Sequence, residues 1–563
     1  MACSKLFSGD LPELTNKIIQ YFWNDYKTLY SCILVNRLWC RFAIPLLWEN
    51  PFSKKFPKNC DFVGIFLHFL NDEDKAQLNE YGIKSNLIPT NALFNYPKFI
   101  KCLNEFKIST SIKNWVMAIC TSTTQEQNQL SMHFSNFSNL EQITKFIYKS
   151  LLKIFIENEA NLHTFEFVIF SDKDNNDAFE LILQNPNFIC NIRNLELNFS
   201  RANDSEYSFL NFLCSNCNSI SSIYCQFPST DNTFINKYLS QIINSQQNLK
   251  KILLDNNSIN LYHSLLSLKY SNCSNTLSTI IFYHVDFKNT INLKEIFEQL
   301  NVLDSIHILY CNLNSHVIQQ IINITKPFKL RSLFMREESF KIENFEELLQ
   351  KSGDYLENFG HAIYSNKLNK QESIELVIEY CKNIKSLDFV GFISQDIYPA
   401  FKLIENIQHS LNYLVIDILY NCYNQTNAII ELSSISSIVL LSLGQILPFK
   451  LEYLRLGLMF NTNEFEVFLN NSQNTFIKKL CIRNSLKKQG EGDILPCIKK
   501  YIMEKKRVEY LAIKEIFLYN IPYKSNELIS LKNEVKEFKL HNIEVLYYDN
   551  LYINAYDFIK EID

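Results

Sequence analysis

The chain has 563 residues, of which 47% are hydrophobic and 20% charged, a globular balance with enough apolar material for a long core. A formal net charge of -4 gives no bulk attraction to phosphate backbones or anionic lipid, so neither nucleic acid nor a membrane surface is the expected partner. Sixteen scattered cysteines lack the close spacing of a secreted disulfide framework, and reduced thiols in a cytoplasmic or nuclear protein fit better.

The opening "MACSKLFSGDLPEL" has no apolar run of signal-peptide length and is not an Arg-rich amphipath. Pro12, after Leu11, suits the first turn of a helix, because its missing N–H would be unpaired there anyway. Leu14, Ile18, Ile19 and Phe22 then recur along one helical face. Asp25 is placed to cap a second helix carrying Leu29, Cys32 and Ile33; Asn36 caps a third with Trp39, Phe42 and Ala43, which Pro45 is expected to stop. A three-helix segment this short buries little by itself, so its apolar residues dock on the rest of the chain or on another protein.

Residues 8–52 resemble the F-box: "LPEL", an Ile-Ile helix, then "LVNRLWCRFAIPLLW" match its Leu-Pro opening, Val-x-x-x-Trp core and closing Leu-Trp. Trp23-Asn24-Asp25-Tyr26 departs from the family, whose members more often carry a proline-containing turn there. The resemblance implies docking on a Skp-type adaptor and, through it, on the cullin of an SCF ubiquitin ligase. Leu11, Pro12, Leu14, Ile18, Ile19 and Val35 match the adaptor-contact positions, and Trp39 and Phe42 match positions that hold the helices together. Each of these is also an acceptable core residue of a plain helical bundle.

Residues 53–150 show no clean pattern; "CDFVGIFLHFLNDEDKAQLNEYGI" at 60–83 reads as helical, and the region is expected to be a connector that caps the open end of a repeat array. From Leu162 the pattern Leu-x-x-Leu-x-Leu, with any apolar residue at the marked positions, recurs at intervals of 26–30 residues as far as Leu411. Further instances start at Leu451, Ile477, Val508 and Val535, and "ISSIVL" at Ile435 is either an irregular unit or an insertion. The best match, "LDSIHILYCNLN", sets Leu303, Ile306, Ile308, Cys311 and Leu313 on the family pattern of leucine-rich repeats. Helical segments such as "INLKEIFEQL" alternate with these strands.

The expected fold is therefore α/β: an N-terminal three-helix F-box at 8–52, the connector at 53–150, and a leucine-rich-repeat solenoid, a horseshoe of parallel strands backed by helices, over 151–563. Its composition resembles large fungal families of this kind. Side chains between the marked apolar positions point away from the helices, and among them His307, Asp388, Tyr413, Tyr453, Arg455, Lys479, Arg483 and Tyr510 are candidate contacts for a protein target. A merely solvated strand face would carry the same charges.

No phosphate-binding glycine loop, His-Glu-x-x-His or Gly-x-Ser-x-Gly is present, and the CxxC at Cys214 and Cys217 has no second pair to complete a zinc shell. The expectation is a non-catalytic receptor without cofactor or metal: an SCF substrate receptor, or else an interaction scaffold with no ubiquitin transfer. A small-molecule receptor is a third class.

Overall fold

The computed structural model describes residues 11–23, 25–53, 60–122, 137–169, 176–199, 204–226, 233–255, 267–268, 272–287, 293–335, 341–362, 370–391, 394–418, 428–486, 493–517 and 524–562. The chain divides into two compact units. Unit 1 is formed by 1–228, 232–250 and 271–273, and unit 2 by the remainder.

Unit 1 opens with helices α1 (Pro12–Gln20), α2 (Tyr26–Ile33) and α3 (Arg37–Leu47). The expected caps are in place: the Asp25 carboxylate accepts from the Thr28 N–H at 3.0 Å, and the Asn36 side chain accepts from the Trp39 N–H at 2.9 Å. Pro45 does not stop α3; it lies within it, and the helix runs on to Leu47. The connector is largely helical, with α4 (Phe62–Leu67), α5 (Asp72–Glu80), α6 (Glu105–Ser122) and α7 (Phe137–Glu157). Trp48, just past α3, joins the two parts through ring contacts with Phe66 at 5.3 Å and Tyr96 at 4.1 Å.

The strand series starts earlier than the boundary at 150. Strand β1 (Cys102–Asn104) pairs in parallel with β2 (Thr164–Ile169), and β2 with β3 (Asn194–Phe199), which pairs with β4 (Ser222–Gln226). Helices α8 (Asn176–Gln184), α9 (Asp204–Asn216) and α10 (Thr233–Ser245) alternate with them. Cys214 and Cys217 lie at the end of α9; Cys217 is buried, its thiol donates to the Ile189 carbonyl at 3.3 Å, and burial pushes its pKa up to about 12.

Unit 2 continues the same alternation. Its parallel strands are β5 (Lys251–Asp255), β6 (Thr279–Tyr283), β7 (Ser305–Leu309), β8 (Lys329–Met335), β9 (Asn358–Ala362), β10 (Ser386–Val390), β11 (Tyr413–Asp417), β12 (Lys450–Leu458), β13 (Phe476–Leu486) and β14 (Val508–Phe517), each paired with the next. Two short strands finish the edge: β15 (Lys524–Glu527) runs antiparallel to β14, and β16 (Glu544–Val545) pairs with it in parallel. The intervening helices are α11 (Leu293–Gln299), α12 (Ser315–Ile322), α13 (Ile342–Ser352), α14 (Lys370–Tyr380), α15 (Ile397–Asn406), α16 (Ala428–Ile446), α17 (Thr462–Asn471) and α18 (Leu495–Ile498). Both units are thus built as an open α/β solenoid, since parallel neighbours require a crossover and a helix supplies it.

The repeat has a conformational signature as well as a sequence one. The residue following β6, β7 and β10 is His284, Tyr310 or Gly391, each with φ between 52° and 76°. Each donates its N–H to the next strand, to Leu309 at 2.9 Å, Phe334 at 2.6 Å and Asp417 at 2.8 Å. The left-handed residue turns the chain off its strand without breaking the ladder, which only glycine does free of strain. In the best-matching repeat Leu303, Ile306, Ile308, Cys311 and Leu313 are all buried.

One expected repeat strand is a helix instead, and the stretch left open between a repeat unit and an insertion is helical too. "VKEFKL" at Val535 lies in α19 (Lys532–Leu540), and "ISSIVL" at Ile435 lies inside α16, which fills the wide gap between β11 and β12. Both stretches space their apolar residues at three as well as at two, and a short apolar run does not separate the periods. "KKQGEGD", read as a loop, falls mostly outside the described residues.

Candidate partner-binding surfaces

Helices α1–α3 sort their apolar residues into two sets. Ile19, Leu29, Cys32, Trp39 and Ala43 close a core, with Phe42 packed against it. Leu11, Leu14, Leu34 and Val35 are exposed, Leu14 at 48% and Val35 at 45% of their surface, while Pro12 and Ile18 are half-buried. Of the six residues matched to adaptor contacts, Ile19 is therefore a core residue, and its place on the buried side of α1 follows from its one-residue step from Ile18. Within α1 the Thr15 hydroxyl donates to the Leu11 carbonyl at 2.9 Å.

In unit 2 the strands bring most of the candidate target contacts into a grid. Asp388, Val415, Arg455, Cys481 and Ala512 pair residue for residue across β10–β14. One row carries Ser386, Tyr413, Tyr453, Lys479 and Tyr510, and the next carries Val390, Asp417, Gly457, Arg483 and Lys514. Side-chain alternation puts these rows on one face and Leu414, Leu454, Leu480 and Leu511 on the other. His307 stands apart on β7, buried, with its Nδ1 2.7 Å from the Ser332 Oγ.

The face is covered rather than open. Past β16 the chain forms α20 (Tyr548–Leu551) and α21 (Ala555–Ile562), and these lie on the grid. Tyr548 and Leu551 pack on Val415, Tyr453, Cys481 and Ala512. The Ile553 N–H donates to the Tyr453 hydroxyl at 3.2 Å, and the Arg455 guanidinium sits 4.4 Å from the Tyr552 ring centre. Phe558 meets Tyr413 at 4.4 Å, Tyr556 meets Tyr283 at 4.5 Å, and Lys251 Nζ donates to the Lys560 carbonyl at 3.1 Å. Tyr453 and Arg455, expected to face solvent, keep 1% and 3% of their exposure; Asp388 is buried, and Tyr413, Lys479, Arg483 and Tyr510 are half-buried. The sequence does carry a signal for this cover: Tyr548, Tyr552 and Tyr556 recur every four residues, one face of a helix.

Buried charge concentrates under the cover. Asp417 Oδ1 accepts from Arg483 Nη2 at 2.7 Å across the intervening β12, and the bridge passes over Gly457, where a Cβ would stand 2.4 Å from that same carboxylate oxygen. Burial pushes the Asp388 carboxyl up to about 6; Arg455 pulls it down, Asp417 adds to the rise, and the Tyr310 hydroxyl, 3.5 Å from Asp388 Oδ2, opposes it. Burial disfavours the Arg455 charge, but Asp388, Tyr552 and Asp417 outweigh it and raise its pKa further. Among the described residues, Asp388 Oδ1 and Arg455 Nε and Nη1 have no hydrogen-bond partner.

Among the described residues no cluster of three or more His, Cys, Asp or Glu has metal-binding geometry, and no helix is long and apolar enough to cross a membrane. No family model and no curated protein matches the chain. One solved structure that does match is the crystal structure of the Rad7 and Elc1 complex in yeast, with 12% identity and a TM-score of 0.38, covering 69% of this chain and 89% of that one. A likeness so distant carries no argument about what this chain does.

Proposed function

We propose that this chain is the non-catalytic substrate-recognition subunit of an SCF-type ubiquitin ligase, with α1–α3 docking on a Skp-type adaptor, the adaptor bridging to cullin, and the repeats taking a protein target. The observation that supports it most is the division of labour in α1–α3: a closed core beneath Leu11, Leu14, Leu34 and Val35, which remain on the surface. Four large apolar side chains left exposed within 25 residues are what a partner-covered face would carry. Such a subunit accelerates ubiquitin transfer by raising the effective concentration of target beside the loaded enzyme, and needs no reactive group of its own.

The test is capture of a purified Skp-type adaptor, with cullin added afterwards, by the wild-type chain and by a Leu11→Ala/Pro12→Ala variant. Binding by wild type that the double substitution weakens at least tenfold, ~1.4 kcal/mol, is the expected result. Absence of binding by folded wild-type chain overturns the reading and leaves a repeat scaffold without a ligase role.

A further inference from the structure

We infer that residues 546–562 are a resident, displaceable pseudo-ligand of the unit 2 strand face, and that the protein target taken there is a segment with aromatic side chains four residues apart that competes with them. The inference rests on the proposal that the repeats take a protein target, and not on adaptor docking.

The way the segment is held is that of a ligand in a groove. Four aromatic anchors do most of the contacting: Tyr548 in the Cys481 and Ala512 pocket, Tyr552 on Arg455, Tyr556 on Tyr283, and Phe558 on Tyr413. Positions 556 and 558 differ by about 200° around a helix, so Tyr283 and Tyr413 hold α21 from opposite sides. Two further contacts address backbone alone, the Tyr453 hydroxyl on the Ile553 N–H and Lys251 on the Lys560 carbonyl. A groove that reads main chain and aromatic anchors accepts any segment with the same spacing, as helix-in-groove recognition does. Tyrosine and arginine, which make the floor here, are the residues that dominate protein interfaces.

The fit is also incomplete in a way that favours exchange. Beneath the segment, among the described residues, Arg455 Nε and Nη1 and Asp388 Oδ1 have no hydrogen-bond partner. Native cores satisfy such groups. An incoming segment that offers an acceptor to Arg455 in addition to the aromatic anchors gains hydrogen bonds that the resident segment does not make, and so displaces it.

The experiment adds a fluorescent peptide of residues 544–562 in trans to the 563-residue chain, wild type and a Tyr552→Ala/Tyr556→Ala/Phe558→Ala variant, and follows anisotropy. In wild type the tethered segment competes, so the variant is expected to bind the peptide at least tenfold more tightly. Equal or absent binding by a variant that melts in one cooperative transition overturns the inference. Because that variant can fail to fold, hydrogen exchange on the wild-type chain decides independently: the Tyr552 and Ile553 amides are expected to exchange at least tenfold faster than those of β12. Protection equal to that of β12 makes the segment a permanent part of the core and overturns the inference. Neither readout involves the adaptor, so loss of adaptor binding leaves both unchanged.

Discussion

In α1–α3 the side chains that close the core and those left on the surface are separate sets, whereas on the β10–β14 face the same side chains serve as candidate contacts and as floor for the chain's own residues 546–562. Both regions alternate apolar and polar residues at the period of their secondary structure, yet only the first leaves its outward set uncovered. A periodic pattern therefore fixes which way a side chain points, and a distant segment decides whether water reaches it.

The sharpest way to break that comparison is to damage the core set of α1–α3. Trp39→Ala removes the largest side chain from a cluster in which Ile19, Leu29 and Ala43 are fully buried, and is expected to cost about 3–5 kcal/mol in urea unfolding followed by circular dichroism. The helices then lose the scaffold that presents Leu11 and Leu14, so if these residues dock on an adaptor its capture is expected to fall with stability.

On the strand face the corresponding experiment is a pH titration. Asp388 has a carboxyl pKa near 6 in the folded chain against an ordinary 3.8, so between those pH values the folded chain holds a proton that the unfolded chain has released. Its contribution is fully present below pH 3.8 and is lost as pH rises through 6, a slope amounting to about 3 kcal/mol. Denaturant midpoints measured at intervals across this range are expected to separate wild type from Asp388→Asn, whose profile lacks that fall. Parallel profiles would mean that water reaches Asp388, and the cover with it would be open in solution.

Next in size is the pair beside it. Asp417→Ala removes the carboxylate that pairs with Arg483 Nη2 and is expected to cost about 2–3 kcal/mol, less than a fully sealed pair because the Arg483 side chain keeps 16% of its exposure. Gly457→Ala, which brings a methyl group against the same carboxylate, is expected to lose part of that stability by the same measurement, and combining the two substitutions should cost less than their sum.

How much of this was legible follows from range. Strands β2–β14 lie at the Leu-x-x-Leu-x-Leu positions because each pattern is contained in six residues, and the caps at Asp25 and Asn36 are where expected because a cap acts within four. Val535 misled because its run satisfies two periods; Pro45 lacks the N–H that would donate to the Arg41 carbonyl, yet α3 runs two residues past it. The cover was invisible for a different reason: Tyr453 and Ile553 are 100 residues apart, and nothing in either neighbourhood names the other. The Tyr548, Tyr552 and Tyr556 spacing announces an amphipathic segment but not the surface it lies on.

The smallest stability effect tests the other half of the comparison. Leu14→Ser and Val35→Ser alter side chains that are already about half exposed and make no part of the α1–α3 core cluster, so each is expected to shift the unfolding free energy by less than about 0.5 kcal/mol. If those surfaces face a partner, the pair of substitutions should still weaken adaptor capture at least tenfold, because burying a serine hydroxyl where an apolar side chain fitted both removes contact area and leaves a polar group to satisfy. A large loss of binding beside an unchanged melting curve separates a docking face from a structural one. The opposite result, destabilisation without loss of capture, would assign Leu14 and Val35 to the fold and move the adaptor contact elsewhere on the helices.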